Sequence, residues 1–153
     1  MKLGELLNHK DFRYRTAVLA SPNDTIASVI DKLVANDRGS LPVCDEKGQL
    51  VGIITERDIV RKFLTGKNIV PSKVKVKDVM TIGVVYGRPE DDVSYAIKMM
   101  KERKIRHIPI VQNKKVLGMI SVRDLLGVQL EESQSDVKNL HAYISGGYTS
   151  HTP

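Results

Sequence analysis

Apolar residues fall on one helical face at Ile26, Val29, Ile30, Leu33 and Val34, behind the polar stretch SPNDT that supplies a helix start. The same design returns at Val93, Ala96, Ile97 and Met100, behind RPEDD. Each helix follows a short apolar run, AVLA in the first case and GVVY in the second. Each precedes two strand-like runs joined by a turn, LPVCDEKGQLVGIIT and IPIVQNKKVLGMIS. A further helix then opens at an aspartate, in DIVRKFLTG and in DLLGVQL. The predicted order is strand, helix, strand, strand, helix, written twice.

The two copies align residue by residue. Pro22 matches Pro89 and Pro42 matches Pro109, each 67 positions on, while Gly52, Thr55, Arg57 and Asp58 match Gly118, Ser121, Arg123 and Asp124 at 66. The one-residue slip falls in the turn between CDEKGQLVG and VQNKKVLG, where a hairpin tolerates a change of length. So long a period is a tandem duplication, not a solenoid repeat. A unit of about 60 residues buries too little surface to be stable alone, so the pair is the expected folding unit.

Composition narrows the class. Of 153 residues, 41% are apolar and 27% charged, the balance of a globular protein with a packed core. No apolar run is long enough to span a bilayer, and the single cysteine, Cys44, is compatible with a reducing, cytoplasmic setting. The formal net charge of +6 is spread along the chain, with two Phe, five Tyr and no Trp to stack bases, so it argues weakly for nucleic acid. His9, His107, His141 and His151 form no metal-ligand spacing. No nucleophile–base set or phosphate-binding glycine loop appears, so no enzyme activity is expected. Cys44, Met99, Met100 and Met119 read as core residues.

KDVMT leading into the second copy, GSLPV and RHIPI before the middle strands, and GIITERD and GMISVRD after them resemble the cystathionine-β-synthase (CBS) domain. A tandem of two resembles the Bateman module, and the ending NLHAYISGGY resembles that of stand-alone two-domain CBS proteins. The resemblance implies an α/β (α+β) fold: two CBS domains in pseudo-two-fold tandem, each a small three-stranded sheet with two helices. The expected boundaries are a first domain with its entrance over 1–66, a linker over 67–76 and a second domain over 77–130. A C-terminal helix and mobile tail would occupy 131–153, with Val137, Leu140 and Ile144 on one face.

Two readings fit the repeated hydroxyl and aspartate. Thr55 with Asp58, and Ser121 with Asp124, suit the cap of a helix start. The same geometry suits a ligand: an ionised Asp accepts two hydrogen bonds, as the paired hydroxyls of a ribose require, and the hydroxyl with first-turn N–H groups suits a phosphate. The resemblance assigns the ligand role, an adenosine nucleotide such as AMP, ADP, ATP or NAD. It implies that the adenine meets Ser40, Leu41 and Pro42 in one site and His107, Ile108 and Pro109 in the other. The matching entrance residues are Tyr14, Arg15 and Thr16, then Thr81, Ile82 and Gly83. It implies phosphate contacts from Arg38, Arg106 and His107, with Arg106 and His107 serving the Asp58 site; Arg57 and Arg123 either touch phosphate or pair with Glu56 and solvent. The implied role is a non-catalytic module that signals nucleotide binding to a regulated partner protein. Ile59, Val60, Phe63, Leu64, Leu125 and Leu126 would offer the surface for a homodimer. Nucleic-acid binding, which some CBS proteins show, is the alternative.

Overall fold

The computed structural model describes residues 1–9, 18–131 and 134. Tyr14, Arg15, Thr16 and the predicted tail helix lie outside the described residues. The elements are α1 (Leu3–Leu7), α2 (Ile26–Ala35), β1 (Ser40–Cys44), β2 (Leu50–Thr55), α3 (Glu56–Thr65), α4 (Val93–Arg103), β3 (His107–Gln112) and β4 (Lys115–Ser121). A last helix, α5, covers residues 122–131. Short 3-10 turns at Pro71–Lys73 and Val76–Asp78 connect the copies. No helix among the described residues is long and apolar enough to cross a membrane.

The stripe of α2 buries Ile26, Val29 and Leu33, and Thr25 caps it by accepting a hydrogen bond from the Ser28 N–H at 3.1 Å. Val34, expected on that face, is 78% exposed: its position falls just off the buried arc. Val93, Ala96 and Met100 form the matching buried face of α4.

Each copy builds an antiparallel hairpin, β1 with β2 and β3 with β4. A bulge falls after Val43 in one and after Ile110 in the other, at matched positions. The second turn is tight, with Asn113 at φ 53° and Lys114 at φ 67°, the paired positive angles of a two-residue hairpin loop. The first is longer and is braced by Asp45, whose Oδ1 accepts from the N–H groups of Lys47 and Gln49 at 2.9 Å each. The turns meet, Gln49 bridging to Lys115 across the seam between the copies.

The third strand of each copy shrinks to a single parallel bridge, Ala20 with Val43 and Gly87 with Ile110. Proline explains why. The Ala20 N–H donates to the Pro42 carbonyl at 3.0 Å, and its carbonyl accepts from the Cys44 N–H at 2.9 Å. Extending that parallel ladder by one step either way needs an N–H from Pro22 or from Pro42, and neither has one. Pro89 and Pro109 stop the second ladder identically, around Gly87 N–H to Pro109 O at 2.9 Å and Val111 N–H to Gly87 O at 2.8 Å.

Two hydrophobic cores form among the described residues, one per copy, and each takes a piece from a segment outside its own copy. Leu3 and Leu6 of α1 lie among Val93, Met100, Ile108, Ile110 and Ile120, in the core of the second copy. Val76, from the connector, lies among Ile26, Val29, Leu41, Val43 and Ile54, in the core of the first. The backbone bonds match pair for pair. Leu3 N–H reaches Asp91 O at 2.8 Å and Gly4 N–H reaches Pro89 O at 2.9 Å, while Val76 N–H reaches Asp24 O at 2.8 Å and Lys77 N–H reaches Pro22 O at 2.9 Å. The entrance segments are thus exchanged. This exchange also accounts for the repeated glycines of the inner strands. A Cβ on Gly52 would sit 2.8 Å from the Met80 sulfur, and one on Gly118 would sit 2.7 Å from Leu7 Cδ2.

Candidate functional site

The repeated motif is, first of all, a cap. Thr55 Oγ1 accepts from the Asp58 N–H at 3.1 Å while Asp58 Oδ2 accepts from the Thr55 N–H at 3.0 Å. Ser121 and Asp124 repeat both bonds at 3.1 and 3.0 Å. Each pair is a reciprocal capping box, fixing the angle at which a helix leaves its strand. A carboxylate has room for about four hydrogen bonds, so capping leaves acceptor capacity. At Asp58, Oδ1 lies 3.4 Å from the Thr81 hydroxyl. Thr81 is held there by a two-bond bridge to Ile53 of β2, at 3.0 and 2.8 Å.

The sequence reading placed Thr81 and Ile82 with the second site; the structure puts Thr81 beside Asp58. The exchange of entrance segments is the cause, because the segment entering copy two runs along the edge of copy one. Ile82, next to it, is 74% exposed.

Around Asp124 lies an open cleft of about 800 Å³ with walls from both copies. Arg38, Ser40 and Glu56 come from the first; Arg106, His107, Ser121, Arg123 and Asp124 come from the second. Arg106 and His107 were expected with Asp58. They join Asp124 instead, since the strand register sets His107 directly opposite Ser121. Arg38 reaches this cleft from the other copy, at the end of the loop after α2. Thr55, Arg57, Asp58, Thr81 and Ile82 are not among its lining residues. Arg57 is exposed, as are Arg106 and Arg123.

Leu41 and Ile108 are each 1% exposed, so their side chains belong to the cores. The carbonyls of Pro42 and Pro109 already accept from Ala20 and Gly87. Ser40 differs: it is 3% exposed, and its hydroxyl has no hydrogen-bond partner among the described residues although it lines the cleft. Such an orphan costs about 1–3 kcal/mol until something bonds to it.

His107 is half-buried where the copies touch. A Cβ on Gly39 would come within 3.3 Å of its Nε2 and within 3.7 Å of Glu56 Oε2. Burial pushes the imidazole below its ordinary pKa; Asp124 and Glu56 pull it up, and Arg106 pushes it down. Burial, and then Asp45, raise the thiol of Cys44, which is 4% exposed in the core. Met119, read as core, lines the cleft. Sequence reasoning gave Glu56 and Asp37 no place in a site because neither recurs: Glu56 matches Val122, and Asp37 matches Lys104. Asp37 carried a local signal, being a short polar residue at a helix end, where φ is 50°.

The CBS domain family model matches residues 10–65 and 76–131. The chain belongs to the CBS domain family and carries two copies of the domain. It is 35% identical over 131 residues to CBSX3, a mitochondrial CBS domain-containing protein of Arabidopsis thaliana, over 82% of this chain and 63% of that protein. The match thus spans less than two thirds of that relative's length. The CBS-domain containing protein ATU1752 from Agrobacterium tumefaciens superposes with a TM-score of 0.74 at 28% identity, over 84% of this chain and 99% of that one. The CBS domain pair of MJ0100, solved with 5-methylthioadenosine and S-adenosyl-L-methionine, has the same fold. Its TM-score is 0.70 at 20% identity, over 86% of this chain and 98% of that one.

Proposed function

We propose that this CBS pair is a regulatory module that binds an adenosine-containing nucleotide, AMP, ADP, ATP or NAD, in the cleft at Asp124. One observation carries the reading: a capping carboxylate faces, across one cleft, arginines supplied by both copies. In it Asp124 accepts the ribose hydroxyls, Arg38 and Arg106 hold phosphate, and the orphaned Ser40 hydroxyl gains a partner. The MJ0100 pair, of like fold, holds adenosine compounds, which supports the ligand class. Asp58 with Thr81 and the exposed Ile82 offers a second, smaller platform of the same chemistry.

Binding across the seam favours one arrangement of the two copies, and a protein that reads that arrangement receives the signal. The same reading includes self-association. Val60 and Leu64 on α3 are 55% and 80% exposed, and their counterparts Leu126 and Leu130 on α5 are 58% and 60% exposed. Ile59 and Leu125, expected to share that surface, are instead buried in the cores.

The test must spare the cap, so Asp124→Asn is the informative variant: its amide oxygen still accepts from the Ser121 N–H. Losing the charge of the acceptor should weaken AMP about tenfold by calorimetry, with the melting temperature nearly unchanged. Unchanged affinity for AMP, ATP and NAD in an Asp58→Asn, Asp124→Asn double variant leaves the aspartates as caps alone.

A further inference from the structure

The cleft is rich in arginine yet electrically balanced. Arg38, Arg106 and Arg123 line it with Asp37, Glu56 and Asp124, three charges of each sign. Glu56 is the informative one. It forms no ion pair among the described residues, and neither do Arg106 and Arg123 (His107, next to it, is held toward its neutral form by burial). Its carboxylate stands at the seam, 3.7 Å from the point where a Gly39 Cβ would lie and on the same side as the imidazole. Its counterpart in the second copy is Val122, which packs against the core. The first copy alone therefore carries a negative group at this level of the cleft.

We propose that this arrangement selects adenosine ligands with a short tail of low charge, and that Glu56 is the specificity residue that disfavours metal-free polyphosphates. The inference rests on the adenosine reading of the cleft. A monophosphate brings roughly two negative charges, which arginines from both copies can match. Each further phosphate adds about one more negative charge and extends along the seam toward Glu56, whose carboxylate offsets the remaining arginine, Arg123. Like charges about 10 Å apart near a protein surface, at an effective dielectric of about 20, repel by an amount that shifts affinity about tenfold.

Calorimetry with AMP and with ATP, both in EDTA, tests this on the wild type and on Glu56→Gln. The substitution keeps size and removes charge at an exposed helix start, and its melting temperature reports folding. AMP should bind the wild type at least about tenfold more tightly than ATP. Glu56→Gln should tighten ATP about tenfold and leave AMP within about twofold; Mg²⁺ should tighten ATP in the wild type by masking charge. Equal affinity for AMP and ATP in the wild type, or ATP affinity unmoved in Glu56→Gln, overturns the selectivity while leaving the adenosine reading standing. Absence of binding by either nucleotide overturns both.

Discussion

At the scale of the residue, one side chain often serves two masters. Asp58 and Asp124 each close a helix start, so replacing either with alanine removes a cap as well as a ligand contact, and the cap alone contributes about 0.5–2 kcal/mol. Asparagine separates the two roles. His107 offers a second separation, this time by pH. Its folded pKa lies below the ordinary histidine value, so the unfolded chain binds more protons in the window just below about 6.5. Its contribution to stability is therefore full above that window and is lost as pH falls through it. Thermal melts at pH 8 and pH 5.5 should show a smaller acid-induced drop for His107→Gln than for the wild type. Equal drops would assign the acid sensitivity to other groups.

At the scale of the element, much of the design was legible because duplication prints every structural demand twice. Helices, hairpins and the slip in the turn followed from spacing. The matched prolines were visible too, yet a third strand was expected where they permit one bridge. Each further ladder step needs an N–H that a proline lacks. The helix α1 was missed for a different reason: KLGELL at Lys2 matches KVKDVM at Lys75 at an offset of 73, outside the 66–67 register of everything else. The site suffered the opposite bias. Repetition points to residues that recur, such as Thr55 and Asp58, and gives Glu56, the asymmetric one, no role beyond that of a partner for Arg57. The glycines give the sharpest check on the exchanged segments. Gly52→Ala should destabilise the protein by about 1–3 kcal/mol, because its new methyl meets the Met80 side chain and the Thr81 carbonyl. Met80→Ala should cost less in that background than in the wild type, the mark of a relieved contact. Strictly additive costs would place the strain elsewhere.

At the scale of the whole molecule, Val60 and Leu64 on α3 and Leu126 and Leu130 on α5 are exposed apolar side chains at matched positions of the two copies. The proposed self-association would use them, each helix offering the same pattern to a two-fold partner. Leu64→Glu with Leu130→Glu should shift the mass by light scattering from dimer to monomer without lowering the helical signal. A wild type that is monomeric at high concentration would remove this surface from the account.

The exchanged entrance segments also set a timetable. A chain made in order delivers Leu3 and Leu6 well before Ile108, Ile110 and Ile120, which form their place in the core. The first copy, complete in sequence by Thr65, still lacks Val76, the side chain that fills its centre. Neither half can complete its core before the other has begun, so Leu3 and Leu6 wait for partners made much later. Two units that look independent on paper should therefore unfold in one transition, and closing the long loop between Leu3 and Ile108 adds to the entropy that folding must overcome.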